Sequence, residues 1–167
     1  AFRGVAFAPV EVPQLIVTEI NSNATGGDFW ELTNVGVTTQ NIGNWKWDDD
    51  SANPNDPAAV TIPAGTTIAP GESIILSLAA DAATFRSFWG ALTGVQIIAS
   101  SAGPGLGGGD TVNLFNASGT SVLSFSYNTG GFTQSGGSPA AGGHAGISAG
   151  GTATQSAVID PAFGYGA

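Results

Sequence analysis

Two sets of acidic residues stand out as the side chains able to do chemistry. The first is a pair, Glu19 and Glu31, in the stretch L-I-V-T-E-I-N-S-N-A-T-G-G-D-F-W-E-L-T-N (Leu15–Asn34). Two β-prone runs, Leu15–Ile20 and Asp28–Asn34, flank a loop rich in Asn, Ser, Thr and Gly, the pattern of a hairpin. If the hairpin is antiparallel and centred near Ala24–Thr25, Ile20 faces Trp30 and Glu19 faces Glu31. Carboxylates roughly 5 Å apart match the geometry of a retaining glycosidase. They also repel when directly opposite, so either the strands pair differently or a cation lies between them. Residues facing each other in mid-sheet seldom line a cleft, and no helper residues accompany this pair, so a structural role is expected.

The second set is Asp48, Asp49, Asp50, Asn53, Asn55 and Asp56, in the loop D-D-D-S-A-N-P-N-D-P. Crowded oxygen donors are what Ca2+ takes, at roughly six to eight ligands, and a divalent ion would relieve the repulsion among three successive aspartates. The loop lacks the Gly and the terminal Glu of an EF-hand. Its bland alternative is a set of Asx-turns. Ca2+ is the one cofactor expected, with these six residues as its ligands.

Other motifs carry less. Gly105–Asp110 (G-L-G-G-G-D) superficially resembles a phosphate loop but has neither the Lys nor the following helix, so a tight turn is expected. His144 is the sole histidine, and there is no cysteine for a thiolate site. The triplets Asn23-Ala24-Thr25 and Asn116-Ala117-Ser118 are glycosylation sequons by pattern alone.

The elements that must position these groups are short strands. Ile42–Asp48 reads as a strand with Trp45 and Trp47 on one face and Asn44 and Lys46 on the other. Val60–Ile62 follows. Pro63–Gly71 holds two turn signals around another crossing. Ser73–Leu78 is apolar enough to be central. Asp81–Trp89 is the one expected helix, capped by Asp81, stopped by Gly90, and docked through Phe85, Phe88 and Trp89. Val95–Ala99 is a strand, and Thr111–Phe115 with Ser121–Tyr127 around Asn116–Gly119 is a second hairpin. Turn signals at this frequency with a single helix predict an all-β, immunoglobulin-like antiparallel β-sandwich. The expected organisation is an N-terminal arm (1–14), the sandwich (15–127) and a Gly/Ser/Ala-rich extension (128–167). Both Gly/Ala-rich tails are expected to be ordered by packing on the sandwich or on a neighbouring copy, with an edge strand at Gly4–Ala8.

Composition limits the partners. The chain has 167 residues, three Lys and Arg (Arg3, Lys46, Arg86) against twelve acids, and a net charge of −9. That surface repels phosphate backbones and anionic membranes, so no nucleic acid and no membrane insertion are expected. Only 9% of residues are charged, against about 25% in ordinary domains. The chain begins at Ala1 without a basic segment and an apolar one, which fits a secreted product after signal removal.

The ordered set L-I-V-T-E-I-N-S-N, D-F-W-E-L-T-N-V-G, I-G-N-W-K-W-D-D-D, T-I-P-A-G-T-T-I-A-P-G-E-S-I-I-L and L-G-G-G-D-T-V-N-L-F-N-A-S-G-T-S-V resembles the lamin tail domain family in its bacterial secreted branch. The pieces span roughly Leu15–Tyr127. The resemblance implies an immunoglobulin-like sandwich, usually non-catalytic, and brings no catalytic residues with it. The chain departs from the pattern in its inserted helix and its long tail. The expected function is a non-catalytic extracellular structural or interaction protein, a subunit of a fibre or surface layer that contacts copies of itself through its tails. The alternative is a calcium-dependent module for glycan or another surface ligand, using Asp48–Asp56 with Trp45 and Trp47.

Overall fold

The structure, a computed structural model, describes residues 14–22, 26–90 and 93–128 together with the strands Gly131–Gly136, Gly142–Gly143 and Ala157–Val158. The N-terminal arm up to Pro13, with its expected Gly4–Ala8 strand and Arg3, lies outside the described residues, as do His144 and Asn23.

Strands β1 (Leu15–Asn21) and β2 (Phe29–Asn34) pair antiparallel with Glu19 opposite Glu31 and Ile20 opposite Trp30, the register read from the sequence. The pairing contains a bulge between Val17 and Glu19. Strict alternation from Leu15 and Val17 would turn Glu19 into the core. One extra residue, Thr18, shifts the phase, so that Leu15, Val17 and Ile20 enter the core and Glu19 leaves it.

The chain then forms β3 (Gln40–Asn41), β4 (Lys46–Asp48), β5 (Val60–Thr61) and β6 (Thr67–Ile68). The strand expected over Ile42–Asp48 is shortened to its last three residues. Asn44 adopts φ 63° in a turn with Gly43, and the amides around it bond to Thr66, Ile62 and Ile42 rather than to a long partner strand. β7 (Ser73–Ser77) is central as expected, bonded to β2 on one side and to β8 (Gln96–Ala99) on the other. The β7–β8 pair is parallel, a departure from an all-antiparallel sandwich. A parallel neighbour needs a crossover, and here it contains helix α1 (Ala82–Trp89). Asp81 caps α1, its Oδ1 accepting from the Thr84 amide at 2.7 Å, and Gly90 at φ 96° ends it. β9 (Asp110–Phe115) and β10 (Ser121–Asn128) form the second hairpin. Within the C-terminal extension, β11 (Gly131–Gly136) pairs with β10, β12 (Gly142–Gly143) with β11, and β13 (Ala157–Val158) with β1.

The result is two sheets, ordered β13-β1-β2-β7-β8 and β12-β11-β10-β9-β4-β5, with the β3–β6 ribbon beside them. The inner faces enclose one core in which Trp30 of the first sheet meets Trp47 of the second, edge to face, with ring centres 5.8 Å apart. A second, smaller core lies on the outer face of the first sheet. There α1 packs Phe85 onto Phe29, Ile75 and Ala79, with Trp89, Val95 and Ile97 at its margin. Phe88 does not join this cluster: it is 41% exposed and lies over Gly26, where a Cβ would stand 2.1 Å from Phe88 Cδ1.

Buried Asn34 ties the ribbon to the sheet. Its Nδ2 donates to the Thr38 and Ile68 carbonyls at 2.8 and 2.9 Å, and its Oδ1 accepts from the Gly36 amide at 2.9 Å. Asn34→Ala strands these buried groups and is expected to cost on the order of 2–3 kcal/mol in chemical denaturation. Gly27 has φ +93°, and a Cβ there would approach the Ala79 backbone nitrogen to 2.8 Å. Gly27→Ala is expected to destabilise by roughly 1–3 kcal/mol and to lower the melting temperature accordingly.

Candidate functional site

The displacement of Glu19 to the outer face gives the carboxylate pair its surroundings. Glu19 and Glu31 share that face with the small core under α1, and together with Phe29, Ile75, Phe85, Trp89 and Val95 they line a cleft of about 220 Å3. Three rings form its aromatic part. Phe29 meets Phe85 and Trp89 edge to face, with centres 5.2 and 5.1 Å away, while Phe85 and Trp89 are tilted 32° to each other. The carboxylates therefore do line a cleft, contrary to the expectation for a mid-sheet pair, because the β7–α1–β8 crossover builds a wall over the sheet. Glu31 is held in place: its Oε1 accepts from Thr18 Oγ1 at 2.5 Å, and Thr18 continues through Thr33 to Ser73 at 2.7 and 2.6 Å. Of the cations among the described residues, Lys46 donates to the Pro54 carbonyl at 2.8 Å and Arg86 to the Val95 carbonyl at 2.6 Å.

The acidic loop is organised differently. Asp48 is fully buried, and its Oδ2 accepts from Ser51 Oγ and from the Asn53 amide at 2.9 Å. Asp49 Oδ1 accepts from the Ser51 amide at 3.1 Å, Asn53 Oδ1 from the Asn55 amide at 3.0 Å, and Asp56 Oδ1 from the Ala58 amide at 2.8 Å. These are successive Asx-turns, each side chain satisfying its own loop backbone. Asp50 and Asn55 lie exposed, and Asp48 Oδ1 is buried without a hydrogen-bond partner. Among the described residues, no three His, Cys, Asp or Glu side chains converge where they could hold a metal ion. Trp45 and Trp47, expected to face a glycan, belong to the main core and are 9% and 1% exposed. Stacking on a sugar needs an open ring face, which neither presents.

Gly105–Asp110, expected to be a tight turn, is an irregular segment with a bend at Gly108–Gly109 that leads into β9. Asp110 accepts from the Gly107 and Thr111 amides at 2.7 and 2.8 Å, and Asp28, across the sandwich end, accepts from the Leu106 amide at 3.2 Å. Tyr127 donates to the Gly107 carbonyl at 3.0 Å, and burial, then the charge of Asp110, raises its hydroxyl pKa. The Asn116 side chain, half of a sequon by pattern, accepts from the Ser118 and Thr120 amides at 3.0 and 2.9 Å as the cap of its turn. The contribution of α1 to the carboxylate cleft has no signal in the sequence beyond its helical spacing, because the pairing of β7 with β8 is a long-range choice.

Desolvation, then the neighbouring charges of Asp48, Asp50 and Asp110, raise the Asp49 carboxyl pKa above its ordinary value, against the opposing Ser51 hydrogen bond. The folded chain thus binds this proton more tightly than the unfolded one. Stability falls as pH rises from the ordinary aspartate range through the raised value, and the full penalty remains at neutral pH. Asp49→Asn keeps the Oδ1 acceptor and removes the charge. It is expected to raise the melting temperature modestly at neutral pH, with the gain vanishing on acidification below the ordinary aspartate pKa and shrinking with salt.

The family model described as Lamin Tail Domain matches residues 10–129, well over half of the chain. No curated protein matches it. The matched stretch covers the hairpin β1–β2, the helical crossover, the acidic loop and the hairpin β9–β10, all parts of a strand-built sandwich with one short helix. This chain belongs to the lamin tail domain family, whose fold is immunoglobulin-like.

Proposed function

We propose that this protein is a non-catalytic, extracellular structural module that associates with copies of itself through its terminal segments. The observation that supports it is the pairing of β13 with β1. Ala157 and Val158, near the end of the chain, add antiparallel to Ile20 and Glu19 and extend the first sheet by one strand. Strand addition draws its affinity from backbone hydrogen bonds and is indifferent to which copy donates the strand. The same pairing made with a neighbour links subunits head to tail, and a head-to-tail contact that does not close into a ring grows as a filament. The low charge density suits repeated backbone contacts, since little like-charge repulsion opposes them at close range, while the net charge of −9 keeps the free chain soluble.

Light scattering coupled to size exclusion tests this reading. The full chain is expected to give a mass that rises with concentration, and deletion of residues 155–167 is expected to return a monomer with an unchanged melting transition for the sandwich. Deletion of Ala1–Pro13 separates the contribution of the N-terminal arm. A full chain that stays monomeric at its solubility limit defeats the proposal.

A further inference from the structure

We propose that the cleft between the Pro54–Asn55 loop and the β9–β10 turn binds a sugar carrying one carboxylate, the chemistry of a hexuronate. The site goes beyond the structural role above, does not depend on it, and needs no metal ion.

The cleft holds about 230 Å3 and is lined by Lys46 of β4, by Pro54 and Asn55 of the acidic loop, and by Asn116–Gly119 of the turn. Lys46 pairs with Phe115 across β4 and β9, which sets it beside the turn that begins one residue later. The lining is open to solvent: Asn55, Ala117, Ser118 and Gly119 are exposed, and Lys46, Pro54 and Asn116 are half-buried. Its charge is the opposite of the chain's. No carboxylate lines it, and Lys46 has no ion-pair partner among the described residues. Lys46 Nζ donates to the Pro54 carbonyl at 2.8 Å, which holds the ammonium at the cleft and leaves two of its three N–H donors unspent.

Asn116 adds two donors more. Its Oδ1 accepts from the Ser118 amide, Ser118 Oγ and the Thr120 amide at 3.0, 2.7 and 2.9 Å. Three converging donors fix that oxygen toward the turn, so the NH2 group is turned away from it. Neither this NH2 group nor the side-chain amide of Asn55 donates to a protein group among the described residues. A donor-rich cleft around one ammonium complements a carboxylate flanked by hydroxyl groups, which gains charge-assisted hydrogen bonds from Lys46. The net charge of −9 opposes every anion and opposes a dianion such as phosphate about twice as strongly as a carboxylate. The volume lies below the roughly 300 Å3 at which drug-sized pockets begin, which suits a single sugar ring. Pro54, whose ring lies beside Gly119, supplies the apolar patch for the C–H side of that ring.

Titration of the full chain with sodium glucuronate in the presence of a chelator, followed through its assigned amide resonances, tests the site. Saturable shifts centred on Asn55 and Ala117–Gly119 are expected. Glucose keeps the ring without the charge and acetate keeps the charge without the ring, so each should bind about 10-fold more weakly. Inorganic phosphate should also bind more weakly than glucuronate. Lys46→Gln removes the charge, keeps an N–H donor, and should lose about 10-fold in glucuronate affinity with an unchanged melting temperature. Asn55→Ala, at an exposed position, should weaken binding as well, and it decides alone if Lys46→Gln does not fold. Glucose, acetate or phosphate binding as tightly as glucuronate overturns the proposal. So does an absence of saturation, a set of shifts confined to other parts of the chain, or a folded Lys46→Gln variant that binds like the parent.

Discussion

One extra residue in one strand governs how this sandwich presents its acids. With the bulge at Thr18, Leu15, Val17 and Ile20 all reach the core while Glu19 stays outside it. Without the bulge, the two-residue period would place either Glu19 or the pair Leu15 and Val17 on the wrong face. An ionised carboxylate has no place in a core of Trp, Ile, Leu and Val, where burying it unpaired costs far more than one interrupted ladder position. Thr18 is also put to use: its hydroxyl reaches Glu31 and Thr33 across the strands. The bulge thus sets the core, the register and the position of the carboxylate pair together.

The second organising feature is the crossover from β7 through α1 to β8. An antiparallel sandwich leaves its outer faces to solvent. Here the parallel return of β8 requires a connection over the sheet, and the chain supplies eight residues of helix with Phe85 at its buried centre. A helix this short is unstable alone, and its cap, its Gly stop and the Phe29–Phe85–Trp89 cluster hold it to the sheet. The outer face of the first sheet therefore carries a small core of its own, with the carboxylates at its margin.

The acidic loop reaches the same end by local means. Asp48, Asp49, Asn53 and Asp56 each accept from backbone amides of the loop, so the irregular connection between β4 and β5 is satisfied without regular structure. A chain with few charges depends on such side-chain-to-backbone bonds, and Asn34, Asp110 and Asn116 serve in the same way elsewhere.

The sequence by itself determined the local elements. The Glu19–Glu31 register followed from the hairpin's loop and alternation, the helix ends from Asp81 and Gly90, the central place of Ser73–Ser77 from its apolar run, and the β9–β10 turn from Asn116–Gly119. The hairpin register, the helix ends and the β9–β10 turn rest on contacts close in the chain, where residue type constrains geometry directly, while Ser73–Ser77 was placed by its apolar content alone. Tertiary structure decided the rest. Whether Asp48 faces solvent or the core, whether Trp45 and Trp47 meet a ligand or Trp30, and whether Phe88 joins Phe85 or covers Gly26 all depend on which sheet lies opposite. The parallel pairing of β7 with β8 belongs to the same group, as does the cleft it creates around Glu19 and Glu31. The physical reason is that strand partners far apart in sequence are chosen by the total apolar area they bury together, a quantity no single stretch of residues carries.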